Sequence, residues 1–249
     1  MGEKENIVIE SDKNIDDEDV IKFKKLYNFD IDESYEYIKK GKVFNFCSNL
    51  LYYGVGFPVL SIILKVVYGV KVEGKENIKN LEGGAISISN HVLVLDCAMV
   101  GLSLLSKRVY YTTREKSFRI PFVRKLIKLL RAIPIPKEVG NKKRFVKEIT
   151  DLVERGGIAH FYPEAVLKPY CEEIREFRSG AFKIAMKNNL NILPIVITFR
   201  NPTGIRKVFK KKKDVTIKVL EAVKYEGGFN PNDVIKFKEK IRERMKAEL

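Results

Sequence analysis

Ile86-Ser87-Ile88-Ser89-Asn90-His91-Val92-Leu93-Val94-Leu95-Asp96 is the stretch on which the reading of this chain turns. Gly83-Gly84 ahead of it mark a turn, and the β-branched run from Ala85 to Ser89 predicts a buried strand. Ser89 or Asn90 is expected to cap the helix that follows, which puts His91 at a strand-to-helix junction. Residues five apart in a regular helix point about 140° from each other. His91 and Asp96 therefore meet only if the histidine lies at or before the first turn. Such a pair has a plain chemical use: the carboxylate holds one ring nitrogen, and the other is left to take a proton from a hydroxyl. A histidine at a helix start with a surface aspartate gives the same spacing, so a second, independent signal is needed.

Composition narrows the partners. The chain has 249 residues, 45% of them hydrophobic, enough for one sizeable α/β core. Its formal charge of +15 calls for an anionic partner, whether acidic lipid, a phosphorylated substrate or nucleic acid. Cys47, Cys97 and Cys171 form no CxxC pair, which suggests neither a disulfide framework nor a zinc site and fits a reducing, cytosolic setting. The first six residues, Met1-Gly2-Glu3-Lys4-Glu5-Asn6, lack an apolar core and argue against a cleaved signal peptide, and Asn6 spoils the myristoylation pattern.

The charge is uneven: residues 1–43 carry twelve acidic and eight basic side chains, and the basic excess follows them. We divide the chain into an acidic lead-in (1–43), an apolar membrane-associating segment (44–70) and a domain holding the His-x4-Asp pair (71–249). Asp12 to Asp19 read as solvated, whereas Val20 to Lys40 have enough Ile, Phe, Leu and Tyr for two short helices. From Phe44 to Leu64 run 21 residues without a charge, long enough to cross a bilayer. Asn45, Ser48, Asn49, Gly54, Gly56 and Pro58 interrupt the run, and Tyr52-Tyr53 suit an interface. Helices lying in a membrane surface, or packed on the core, both fit.

Downstream, Ala98 to Leu105 read as helix, Val109 to Thr113 as strand and Ile120 to Leu130 as helix, an alternating α/β pattern. Between Lys107 and Glu148 stand fourteen Lys or Arg and three Glu, a basic face suited to phosphates. Nucleic acid is not expected, since no binding motif accompanies the charge. Val215 to Tyr225 predict a strand, Lys210 to Lys213 a solvated turn, and Asn232 to Leu249 a basic amphipathic helix built on Ile235, Ile241 and Met245.

The second signal is a strand ending in Tyr162-Pro163-Glu164, then Phe177-Arg178-Ser179-Gly180 and Leu193-Pro194-Ile195-Val196. With Asn90-His91-x4-Asp96, these blocks resemble, in order, those of the glycerolipid acyltransferases typified by 1-acylglycerol-3-phosphate acyltransferase. The resemblance covers roughly residues 70–225. It implies a mixed, mostly parallel twisted sheet flanked by helices, with an N-terminal membrane-associating helical segment. It also implies a base at His91 oriented by Asp96, and substrate contacts from Asn90, Lys137, Glu164, Lys168, Arg178 and Gly180.

On that resemblance, an acyl thioester (acyl-CoA or acyl carrier protein) is the donor and a lysophosphatidate-like lipid the acceptor. No metal or further cofactor is expected, and the site of action is the cytoplasmic, anionic face of the membrane, as a peripheral or monotopic protein in phospholipid synthesis. Another alcohol as acceptor, or a non-catalytic basic module binding lipid or nucleic acid, are the alternatives. Cys97 is read as a packing residue, and His160, which matches no family position, as a satisfied core histidine. One departure stands out. The family's Pro-Glu usually continues Gly-Thr-Arg, and this chain has Ala165-Val166-Leu167 with Lys168 next. Lys137 likewise stands where the block Arg131-Ala132-Ile133-Pro134-Ile135-Pro136-Lys137 usually ends in arginine.

Overall fold

The structure, a computed structural model, describes residues 29, 31, 32, 34–210 and 212–249. Its helices are α1 (Lys42–Asn49), α2 (Phe57–Val66), α3 (Lys75–Lys79), α4 (Asp96–Ser103), α5 (Pro121–Leu129), α6 (Val139–Glu154), α7 (Gly180–Lys187), α8 (Ile205–Phe209) and α9 (Pro231–Lys246). The strands are β1 (Lys71–Glu73), β2 (Ala85–Ser89), β3 (Val109–Arg114), β4 (Ala132–Ile135), β5 (Ile158–Phe161), β6 (Ile192–Arg200) and β7 (Asp214–Val219). They form one sheet in the order β1-β7-β6-β2-β5-β3-β4. Five strands from β6 to β4 run parallel; β7 pairs antiparallel with β6 and carries β1 alongside it. The expected mixed, mostly parallel sheet is the observed one.

Helices cover both faces, which is why the central strands read as unbroken apolar runs rather than alternating ones. On one face Ile86 and Ile88 of β2 join Phe145 and Ile149 of α6, Phe182 of α7 and Phe237 and Ile241 of α9. On the other, Ala85 joins Met99 and Val100 of α4 and Leu64 of α2. Helix α9 is thus a core helix, its first amide capped by the Asn230 side chain (3.0 Å). Its buried line is Val234, Phe237, Ile241 and Met245; Ile235, expected on the same apolar face as Ile241 and Met245, is exposed. The strand expected to reach Tyr225 ends at Val219.

The apolar segment is a single continuous helix of 25 residues, Lys42–Val66, where separate helices were expected. A π-helical stretch, Leu50–Gly56, joins α1 to α2 just ahead of Pro58, whose missing N–H and ring disrupt a regular ladder. The helix buries only Ser48, Tyr52 and Leu64. Polar contacts fasten that line to the sheet domain. Ser48 donates to the Leu129 carbonyl (2.7 Å), and the Tyr52 and Tyr111 hydroxyls share a bond of 2.7 Å. Arg131, fully buried, donates to Asn49 Oδ1 (2.7 Å) and the Tyr53 hydroxyl (3.2 Å) while lying over the Tyr52 ring. Gly101 is required beneath them, because a Cβ there would stand 2.6 Å from the Tyr111 hydroxyl and 2.7 Å from that of Tyr52.

Residues 1–28 of the lead-in lie outside the described residues. Two short helices were expected over Val20 to Lys40; the described part, from residue 29 on, holds turns and bends and no helix. Packing explains the difference: Phe29 stacks on Phe118 at 5.5 Å and Tyr37 meets Phe145 edge-on at 5.4 Å, so core contacts outside the segment set its path.

Candidate active site

The site stands at the carboxyl ends of β2 and β5, neighbouring parallel strands, which is where open α/β sheets leave a crevice. Ser89 and Asn90 do not cap a helix, as the sequence suggested. Asn90 instead binds β6 through its side chain, Nδ2 donating to the Ile197 carbonyl (2.9 Å) and Oδ1 accepting the Ile197 N–H (2.8 Å). That fixes the chain one residue before His91. Five residues later Asp96 opens α4, so the histidine lies ahead of the helix, as the geometry required.

His91 Nδ1 is 2.9 Å from Asp96 Oδ2. The same oxygen accepts the backbone N–H of Val92 (2.7 Å) and of Leu93 (3.0 Å). The aspartate side chain is wholly buried, whereas that of His91 is 22% exposed. Burial pushes the Asp96 pKa up, and the ring and amide hydrogen bonds pull against that rise. Three donors on one buried oxygen hold the imidazole at a fixed angle with Nδ1 as donor, leaving Nε2 as the acceptor.

The Tyr162 ring stacks on His91 at 4.1 Å and meets His160 edge-on at 4.6 Å. Its hydroxyl donates to Cys97 Sγ (3.3 Å). Cys97, expected to be a packing residue, lies against Tyr162 and accepts this bond. His160 is a satisfied core histidine, Nδ1 2.8 Å from Ser87 Oγ and Nε2 3.3 Å from Ser89 Oγ. Burial lowers its pKa to about 3, so it stays neutral at physiological pH.

Glu164 is drawn inward. Its buried carboxylate accepts the His91 N–H (3.2 Å) and the Arg175 N–H (3.0 Å) and pairs with the Arg175 guanidinium at 2.5 Å. Asn90 and Glu164, both expected to contact substrate, also hold the loops of the site together through these bonds. The 164–171 loop is laced to the histidine turn, the Lys168 N–H donating to the His91 carbonyl (3.0 Å) and that of Tyr170 to Val92 (2.9 Å). Arg178 joins through its N–H to the Pro163 carbonyl (2.8 Å). The side chains of Lys168 and Arg178 are exposed, and Gly180, the first residue of α7, has nothing within 4 Å of where a Cβ would stand. Lys137 lies apart: it follows β4, three strands from β2, or about 14 Å at ordinary strand spacing.

Two residues that sequence reasoning passed over complete the loop. Arg175 pairs with Glu164 and also donates to the Val166 carbonyl, and Arg114 at the end of β3 donates to the Ala165 carbonyl (3.2 Å). Neither carries a spacing signal; both act through a loop folded over them. Ala165 has φ +64°, a left-handed backbone that a glycine adopts more readily than an alanine.

Comparison with known proteins adds independent evidence. Residues 69–198 match the family model described as Acyltransferase. A 1-acyl-sn-glycerol-3-phosphate acyltransferase of Bacillus subtilis (strain 168) is 23% identical over 171 residues, 69% of this chain and 78% of that protein. A chloroplastic enzyme of the same name from Arabidopsis thaliana is 25% identical over 138 residues, 55% of this chain, and the match spans only 38% of the relative's length. The crystal structure of the 1-acyl-sn-glycerophosphate (LPA) acyltransferase PlsC from Thermotoga maritima superposes with a TM-score of 0.52 at 19% identity, covering 83% of this chain and 94% of that one, which shows a common fold. With more than half of its length matched by the family model, this chain belongs to the acyltransferase family.

Proposed function

We propose that the protein is an O-acyltransferase that moves a fatty acyl group from a thioester, carried by coenzyme A or acyl carrier protein, to the free hydroxyl of lysophosphatidate. The observation that carries this reading is the 2.9 Å contact of His91 Nδ1 with buried Asp96, which leaves Nε2 to act as base. Nε2 takes the proton of the acceptor hydroxyl as its oxygen attacks the thioester carbonyl. The tetrahedral intermediate then collapses, the carbon–sulfur bond breaks, and the imidazolium returns the proton to the departing thiolate. A thioester already has a good leaving group, so no covalent enzyme intermediate is needed.

Lys168 and Arg178 supply the acceptor's phosphate contacts, each worth about 1.5–3 kcal/mol, and Lys137, which lies apart, adds only longer-range positive charge. The reaction takes place at the cytoplasmic, anionic surface of a membrane, where the exposed apolar side of the Lys42–Val66 helix lies in the interface as a peripheral or monotopic anchor. Replacement of Gly-Thr-Arg by Ala165-Val166-Leu167 favours one second reading, in which the acceptor is another lysolipid or alcohol.

The test is thiol release from an acyl thioester by the purified protein over a panel of acceptors. Release that depends on lysophosphatidate supports the main reading, and release with a different alcohol supports the second. Silence with every acceptor would point to a non-catalytic lipid-binding module.

A further inference from the structure

Helix α8 presents three large apolar side chains to solvent within five residues: Ile205 is 75% exposed, Val208 76% and Phe209 82%. Single exposed apolar residues are ordinary, but these stand at i, i+3 and i+4 and so share one face of the helix. The opposite side is tied down firmly. Arg206 pairs with buried Asp214 (2.9 Å), which also holds Lys210, and its other arm donates to the Val66 carbonyl (2.9 Å) and the Lys65 carbonyl (3.3 Å). Arg206 therefore caps the end of the Lys42–Val66 helix and holds α8 near it, where Ile62 and Val66 are 64% and 65% exposed. Lys207 on α8 and Lys212 in the turn beyond it are exposed beside the apolar residues.

We propose that α8 is a second, separate contact with an anionic bilayer, with Ile205, Val208 and Phe209 entering the boundary between headgroups and acyl chains and Lys207 and Lys212 meeting lipid phosphates. This rests on the membrane-surface reading given above. A bilayer is favoured over a protein partner because the three exposed apolar side chains come with exposed cations, Lys207 on α8 and Lys212 in the turn after it, in a chain of net charge +15, the pattern of interfacial elements. A fixed contact of this kind also sets the tilt of the domain, since two separated contacts define an orientation that one helix alone does not.

The chain contains no tryptophan, so Phe209→Trp places a single reporter on the patch without disturbing the core. Mixed with phosphatidylcholine–phosphatidylglycerol vesicles, this variant is expected to emit at shorter wavelength and to be quenched by lipids brominated on their acyl chains. Ile62→Trp reports on the long helix in the same assay. Lys207→Glu is expected to lower vesicle partition at least about fivefold. If the protein sediments with vesicles and the Ile62→Trp variant is quenched while the Phe209→Trp variant keeps its aqueous emission, the second contact is wrong and the helix reading stands. If the wild type fails to sediment with vesicles at all, both fall. A spectral change caused by acyl carrier protein but not by vesicles would assign α8 to the donor and overturn the proposal.

Discussion

Strand β2 and helix α2 are both aliphatic runs containing serine, yet β2 is buried along its whole length and α2 buries Leu64 alone. Composition does not separate them; the difference is what the fold places against each. Helices cover β2 on both faces, and its serines are held by His160, so the residues that leave its end can be fixed to within hydrogen-bonding tolerance. Helix α2 lies on the domain along one line and leaves the rest of its surface uncovered by the described residues. The first arrangement serves chemistry, which needs positions. The second leaves a broad apolar area, the kind of surface that adhesion to a partner uses.

Changes that break the first region should act on rate or on cooperative stability, and changes in the second on partition between water and lipid. The largest expected effect is that of His91→Ala. Loss of a general base lowers turnover by at least about 100-fold, and the thermal midpoint should hold, because the side chain is partly exposed and outside the two cores. A variant of near-normal activity would remove His91 from the mechanism.

Next comes the pH response of the buried region. The folded-state pKa of His160 is lowered to about 3, so the stability linked to its neutral form is complete above the unfolded value of about 6.5 and is lost as pH falls toward 3. Between pH 6.5 and 5 this amounts to about 2 kcal/mol, at 1.36 kcal/mol per unit. Denaturant titrations of the wild type and His160→Asn should converge by that amount over this interval; parallel curves would mean that His160 is protonated in the fold.

On the helix, Ile62→Asp should cost about 1.5 kcal/mol of vesicle affinity, roughly tenfold, and leave both folding and transfer to a monomeric, short-chain acceptor unchanged. Equal losses in both assays would mean that the two regions are not separable. The smallest effect is at Ala165. Relief of its left-handed backbone by Ala165→Gly should raise stability by about 0.5–1 kcal/mol, read by chemical denaturation. A loss of stability would show that the 164–171 loop tolerates alanine without strain.

The two regions were unequally readable in the sequence. Strand β2 and the position of His91 follow from a β-branched run meeting polar residues, a local pattern with one structural solution. The long helix was obscured by Gly54, Gly56 and Pro58, which normally end a helix; the π turn that absorbs them leaves no sequence mark. Strand β4 was hidden by Pro134, tolerated there because the strand lies at the sheet's edge. Helix α6 went unread inside a stretch dominated by positive charge. Arg175 and Arg114 could not be singled out from the surrounding charges, since their roles depend on which carbonyls a folded loop brings to them. The left-handed backbone of Ala165 is visible only in the structure, although the departure from glycine there was plain.

The central claim is that His91 and Asp96 act as one unit, the aspartate working only through the ring it holds. A double-mutant cycle on kcat/KM for acceptor-dependent thiol release tests this directly, using His91→Ala, Asp96→Asn and the two combined in protein checked for an unchanged fold. A catalytic unit predicts that each single change is severe and that the double variant is no slower than His91→Ala alone. Losses that multiply in the double variant, or wild-type kcat/KM in Asp96→Asn, would contradict it.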